Sequence, residues 1–444
     1  MCKMLTKVGL LLAVVLLQVS LSMAVRDYIG LPAGPYCASR YSGCCPGRQD
    51  DCSAPIIGTL CYCDDFCNRT RAEDCCPDFW SFCKNEPSPI TQLSCHANGR
   101  EYFSGTSYQD NCNKCTCTVN GPIAEFMCEQ HICLLDENMI DGINMDSRHL
   151  GWTGVNYTKF WGRKLEEGLN LRTGTLLPER SVMRMKPIRK IYDPNSLPRS
   201  FSTIDHFGNY IGPVVDQGWC GSSWAVSTVN VAADRLAILS KGRETVRLSA
   251  QNLLACNKRH QKGCRGGHLD VVWQYLRKNG VVDEKCYPYE ASDRGCRVHR
   301  GDNLLTAQCD IPEKVLRTEL YSVGPAYRLH NDTDVMHELM VSGPVQATMK
   351  VYRDFFAYAG GVYRHSSHSG SHDFRYHSVK IVGWGEDTST YPPVKYWTVA
   401  NSWGKDWGDD GFFRIVRGTN ECDIESFMLA AWTRPADPIR DFDN

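Results

Sequence analysis

Residues 216–228 read DQGWCGSSWAVST. Two kinds of signal meet in this stretch. From Trp224 to Leu239 apolar residues recur at helical spacing, at Trp224, Val229, Ala232, Leu236 and Leu239, and the run stops before Lys241-Gly242. Ahead of that helix stand an amide donor, Gln217, then Cys220, then a hydroxyl, Ser223, at the first helical turn. Nucleophilic acyl transfer needs a nucleophile, a base beside it, a group that orients the base, and donors for the oxyanion. Gln217 suits the last role, and Ser223 stands where a nucleophile would be held. Further on, His377 opens an apolar strand and could serve as the base. Asn401, in ANSWG, could orient it through a side-chain carbonyl.

The later stretches HSVKIVGWG, VKYWTVANSWG and GFFRIVRG are rich in β-branched and aromatic residues and bounded by glycine, as strands are. A helical half followed by a sheet half predicts an α+β fold. The 444 residues allow two to four domains, and 42% hydrophobic with 22% charged residues is the balance of globular protein. A net charge of -1 gives no global attraction to nucleic acid or to an anionic membrane, so neither is expected as a partner.

Lys3 and Lys7 precede the apolar run VGLLLAVVLLQVSLSMA, and Ser22 and Ala24 fit a signal-peptidase site. Residues 1–24 therefore read as a signal peptide, and the chain as secreted without a transmembrane anchor. Three sequons, at Asn68, Asn156 and Asn331, agree with glycosylation on that route. Of 24 cysteines, Cys2 leaves with the signal. The odd remainder requires a free thiol or an intermolecular bridge, for which the isolated Cys422 is the candidate.

Cysteines crowd the front. Residues 37–83 hold ten: Cys37, Cys44, Cys45, Cys52, Cys61, Cys63, Cys67, Cys75, Cys76 and Cys83. So short a segment cannot bury enough apolar surface to fold unaided, and cross-links make up the deficit. The order in CYCDDFCNRTRAEDCCPDFWSFC resembles a somatomedin B domain, a module that binds other proteins. Residues 95–133 carry Cys95, Cys112, Cys115, Cys117, Cys128 and Cys133, and DNCNKCTCTVNG resembles the core of a short von Willebrand factor C module. A zinc site on Cys112 and Cys115 is the alternative that an oxidising compartment disfavours. No metal and no cofactor is expected.

Residues 134–196 hold no cysteine. They should form one or two amphipathic helices with Ile140, Ile143, Met145, Phe160, Trp161 and Leu165 as apolar positions. RSVMRMKPIRK (180–190) reads as a solvated connector, with a polyanion patch or a processing site at Arg189-Lys190 as alternatives. HSSHSGSHDFRYH brings His365, His368, His372 and His377 close in sequence; its serine and glycine content favours a flexible loop over a metal tract.

CGSSW resembles the C-G-[SA]-C-[WY] signature of papain and the cathepsins at every position except the nucleophile. LSAQNLLAC, GCRGGHLD and YWTVANSWGKDWGDDGFFRIVRGTNECDIES follow in the order of a cathepsin B-like domain spanning 197–444, and GWTGVNYTKF resembles the cathepsin B propeptide. With its cysteine-rich front, the chain resembles the tubulointerstitial nephritis antigen family. The resemblance implies a papain-like two-lobe fold, with Gln217 as the oxyanion glutamine, His377 as the catalytic histidine and Asn401 as its orienting asparagine. It further implies a Cys220–Cys264 disulfide, a substrate edge at Gly266 and Gly267, and an indole, Trp403, shielding Asn401.

Three departures matter. Ser223 replaces the nucleophilic cysteine. YPYEASDRG lacks the paired histidines of cathepsin B's occluding loop. Phe427 stands where cathepsin B carries an acid for basic P2 residues. A serine hydroxyl is far less acidic than a thiol and needs an alignment that a cysteine scaffold does not supply. The expectation is a non-catalytic domain whose cleft either binds peptides or is closed by the propeptide-like segment. An active hydrolase using Ser223 is the rival. The resemblance implies matrix proteins or cell-surface receptors as partners, and a secreted Wnt-type ligand by analogy with an insect relative. Sulfated polysaccharide is the partner suited to residues 180–190.

Overall fold

A computed structural model describes residues 34–68, 74–86, 94–120, 123–300, 305–307 and 320–433. The expected signal peptide lies outside them. The chain divides into two compact units, one of residues up to 109 with 114–129, the other of 110–113 and 130 onward.

In the first unit, residues 37–83 are tied by Cys37–Cys63, Cys44–Cys83, Cys45–Cys52, Cys61–Cys76 and Cys67–Cys75. Buried half-cystines around Ala54, Ile56 and Phe79 are the core, so the cross-links supply what apolar burial cannot. The sulfurs of Cys37, Cys63 and Cys76 lie together, but all three are oxidised, which removes the thiolates a metal would need. Asp78 holds the first cysteine of this segment in place by accepting from the backbone N–H groups of Cys37 and Ala38. Further on, Asn113–Asn120 and Ile123–Cys128 form a hairpin with Cys115 opposite Cys128, and these two are bonded, as are Cys95 and Cys117. Cys112 pairs instead with Cys133, inside the second unit. The two thiols of the zinc alternative are thus consumed by different partners.

The second unit has a helical lobe and a sheet lobe. The helix Ser223–Leu239 runs through the first, packed by Ala250–Cys256 and Leu269–Asn279 around Trp224, Val229, Leu253, Trp273 and Leu276. In the second lobe the strand order is Val323–Arg328, Met428–Thr433, Val345–Tyr352, Phe374–Asp387, Val394–Ala400, Phe412–Val416, Tyr358–Tyr363 and Trp152–Gly154. The long strand Phe374–Asp387 pairs with both Val345–Tyr352 and Val394–Ala400 and brings His377 to the boundary between the lobes.

Residues 134–177 are part of this core. Leu134, Leu135, Met139, Ile140, Ile143, Trp152, Phe160, Leu165 and Leu169 are all buried in the sheet-lobe cluster. Asp136 caps the helix Glu137–Met145 by accepting from Met139 N. Met145 departs from the expected apolar face and is 87% exposed, because at about 100° per residue it falls well off the Ile140–Ile143 stripe. Trp152–Gly154 extends the sheet beside Tyr358–Tyr363. Phe160 meets Trp219, Phe356 and Trp403 edge-on. Each such side chain contributes about 1.5–3 kcal/mol relative to exposure, so losing the segment would strip the sheet lobe of part of its interior.

The connector 180–190 is exposed at Arg180, Arg184, Lys186 and Arg189, but Lys190 is not. Its Nζ lies 2.5 Å from Glu338 Oε2 and near the faces of Tyr327 and Trp432. Arg235 and the Tyr327 hydroxyl hold the other oxygen of Glu338, each at 2.6 Å. Burial alone would raise the Glu338 pKa, but Arg235, Lys190 and Tyr327 outweigh it and bring it down to about 2.

Candidate functional site

The sequence makes the site by ending a loop at a helix. Cys220 is bonded to Cys264, Gly221 donates to the Cys264 carbonyl, and Ser223 begins the helix with its side chain fully buried. A side chain at Gly221 would collide with Cys264 O at 2.4 Å and with Asn170 O at 2.7 Å, so only glycine lets the chain pass there. Gln217 is buried; its Oε1 accepts from the Ser402 hydroxyl at 2.6 Å. Asn401 directly follows the strand Val394–Ala400 and accepts from His377 Nε2 at 2.8 Å, and the Trp403 indole lies against the His377 ring with centroids 5.4 Å apart.

Gln217, Ser223, His377 and Asn401 thus converge, and among the described residues no hydrogen bond joins the Ser223 hydroxyl to His377. The Ser223 hydroxyl lies 3.1 Å from Thr175 Oγ1 and accepts from Ser378 N at 3.3 Å. His377 Nδ1 is buried and has no hydrogen-bond partner among the described residues. Burial pushes the imidazole pKa down to about 4; the Asn401 contact opposes this and nearby Arg172 adds to it. His377 is therefore neutral at pH 7. A neutral imidazole can accept a proton at its unpartnered nitrogen.

Residues 172–176 run directly over these side chains. The Thr173 carbonyl accepts from Gln217 Nε2 at 2.9 Å and from the Ser223 backbone N–H at 3.3 Å. These are the side-chain and main-chain donors suited to an oxyanion. Gly174 donates to Tyr376 O and accepts from Gly267 N, and Thr175–Leu176 runs parallel to Gly267–His268. The segment is therefore stitched to both lobes. Gly174, at φ +121°, crosses Gly221 so closely that a Cβ would sit 2.0 Å from Gly221 O. Arg172 anchors the upstream end, buried against Phe160 and Trp219 with its guanidinium 2.9 Å from Asp216.

Sequence reasoning did not find Arg172, Thr173 or Thr175 as site residues. LRTGTLL has no period and no recognisable motif, and its role comes from where it lies. Tyr289 was also missed: its hydroxyl donates to Gln217 O at 2.8 Å and contacts Ser222, and burial raises its pKa to about 12. Phe427 is buried in the helical-lobe core.

The four histidines of 365–377 do not converge on a metal. His365 stacks on Tyr352 and bonds Asp354, His368 faces Asp146, His372 is exposed, and His377 belongs to the cleft. Within 365–369 Asp354 also accepts from Ser366 N, and Ser367–Ser369 makes a short 3-10 turn. Asn68, Asn156 and Asn331 are all exposed. Cys422 is a free, buried cysteine.

Comparison with known proteins places this architecture. The model of the papain family cysteine proteases matches residues 197–432. Human tubulointerstitial nephritis antigen-like is 47% identical over 422 residues, covering 90% of this chain and 89% of that protein. Human tubulointerstitial nephritis antigen is 40% identical, covering 90% and 87%. Among solved structures, proCathepsin B S9 from Trypanosoma congolense superposes with a TM-score of 0.58 at 32% identity, covering 68% of this chain and 99% of that one.

Proposed function

We propose that this chain, which belongs to the papain family and, within it, to the tubulointerstitial nephritis antigen family, is a secreted, non-catalytic binding protein of the extracellular matrix or cell surface. The observation that carries the reading is Thr173. Its carbonyl occupies both candidate oxyanion donors, while Thr175 engages the hydroxyl that would attack. Ser223 in place of the family's cysteine supports the same conclusion, since no thiolate–imidazolium pair can form.

Secretion is supported by the signal-like N-terminus and by the many disulfides, which persist in oxidising compartments. Among the described residues no helix is long and apolar enough to cross a membrane. With the cleft filled, binding falls to the outer surfaces and to the cysteine-rich unit; matrix proteins and cell-surface receptors are the proposed partners. Hydrolysis of a panel of fluorogenic peptides and esters by the secreted protein, beside Ser223→Ala, tests the reading. Equal, background rates are expected. A wild type faster than Ser223→Ala would instead establish the Ser223–His377–Asn401 hydrolase.

A further inference from the structure

Between the helix Ala250–Cys256 and the short strand Gly267–His268 the chain reads NKRHQKGCRG (257–266). Lys258, Arg259, Lys262 and Arg265 are all exposed, and so is the neighbouring Arg294. The acids nearby are already engaged. Glu290 pairs with Arg297 at 2.9 Å, and Asp293 accepts from Cys264 N at 3.3 Å while Lys258 turns to its backbone carbonyl. Among the described residues no ion pair involves Arg259, Lys262, Arg265 or Arg294. The result is a local excess of positive charge on a chain whose net charge is -1.

This loop is also stiff. Cys256–Cys296 fixes its start and Cys220–Cys264 its end. Inside it, Gln261 bonds both the N–H and the carbonyl of His268, Lys262 N donates to Gly266 O, and the Trp224 indole donates to Gly263 O. A loop already fixed in place adds little ordering cost on binding, which favours affinity. The connector 180–190, suggested by sequence for the same task, has a weaker claim, because Lys190 is committed to Glu338.

We infer that the loop 257–266 is a binding site for sulfated polysaccharide. Arginine forks and lysine point charges suit sulfate oxygens, and neutralising a polyanion releases its counterions. Other polyanions fit less well. None of the exposed large hydrophobic side chains belongs to this loop, so an anionic bilayer would find nothing to insert. The loop carries no Phe, Tyr or Trp, and its single aromatic ring, the exposed His260 imidazole, is a small platform on which to stack successive nucleic acid bases. The inference deepens the matrix-binding reading by naming a partner class, and it does not depend on whether Ser223 reacts.

The test is salt-gradient elution of the full-length secreted protein from immobilised heparin. Three proteins are compared: wild type, a Lys258→Ser/Arg259→Ser/Lys262→Ser/Arg265→Ser variant, and an Arg184→Ser/Lys186→Ser/Arg189→Ser variant. All substitutions are at exposed positions, and melting temperatures check that each variant folds. Wild type is expected to be retained at physiological salt. The loop variant should bind at least about tenfold more weakly, with a shallower dependence of log affinity on log salt, by roughly one unit per lost contact. The connector variant should stay near wild type. Co-elution of the loop variant with wild type overturns the site. Equal retention of wild type on desulfated heparin, or stronger binding to phosphatidylserine vesicles than to heparin, overturns the ligand. A wild type that neither hydrolyses substrates nor binds heparin overturns this inference alone and leaves the matrix reading to protein partners.

Discussion

The carbonyl oxygen of Thr173 lies 2.9 Å from Nε2 of Gln217. A residue from the propeptide-like segment thereby holds the group that would stabilise a tetrahedral intermediate, and Gly174 next to it has no room to move toward Gly221. Substituting the nucleophile alone should therefore not reopen the cleft. Ser223→Cys is expected to react slowly with an epoxysuccinyl peptide probe. Adding Gly174→Val, which cannot keep its backbone against Gly221, should raise the labelling rate at least tenfold. Mass spectrometry of the labelled protein reads the outcome, and rapid labelling of Ser223→Cys alone would show the segment to be easily displaced.

Lys190 should resist processing. With its Nζ on a buried carboxylate, the Arg189-Lys190 bond is poorly placed for an endoprotease that must unfold it locally. Limited digestion with a dibasic-specific protease should leave the wild type intact and cut Lys190→Ala faster. The variant should also be less stable by about 1–3 kcal/mol, since Glu338 keeps Arg235 and Tyr327 but loses one charge partner. Calorimetry measures that loss.

Stability should fall with acid in two windows. His377 has a folded pKa of about 4 against 6.5. Between those values the unfolded chain binds a proton that the native state refuses, so stability drops as pH falls from 6.5 to 4, by about 3 kcal/mol at 1.36 kcal/mol per pKa unit. Glu338 is depressed to about 2 from 4.5, so its contribution is present above pH 4.5 and is lost from there down to 2. Urea unfolding at pH 7 and pH 4.5 should show the first window in wild type and a flatter profile in His377→Gln.

Cys422 should be inert while the protein is folded. It is buried, and burial with the nearby Glu421 and Asp354 carboxylates holds its thiol well above the usual range. Iodoacetamide at pH 8 is expected to leave it unmodified in the native protein and to alkylate it after denaturation without reductant. Peptide mapping identifies the site.

Much of the fold could be read from particular stretches. The helix at Ser223 announced itself through Trp224, Val229, Ala232 and Leu236, and the three aromatic, glycine-bounded runs were strands. Convergence of Gln217, His377 and Asn401 followed from motif order. The apolar spacing of Ile140 and Ile143 marked a buried helix face, while Met145, in the same helix, points to the opposite side.

By itself, the sequence determined which chemistry was available. A serine, Ser223, opens the helix behind Gln217 and Cys220, cysteines crowd a front too small to fold without them, and periodic segments divide into helices and strands. Each is a property of residues close together in the chain. The tertiary structure alone decided what those groups touch. Thr173 meets Gln217 across 44 residues, Thr175 meets Ser223 across 48, and Lys190 is drawn out of a basic run onto Glu338. Such pairings arise because burying Phe160, Trp152 and their neighbours in the sheet lobe fixes where the connecting backbone must pass. Local sequence carries no record of that path.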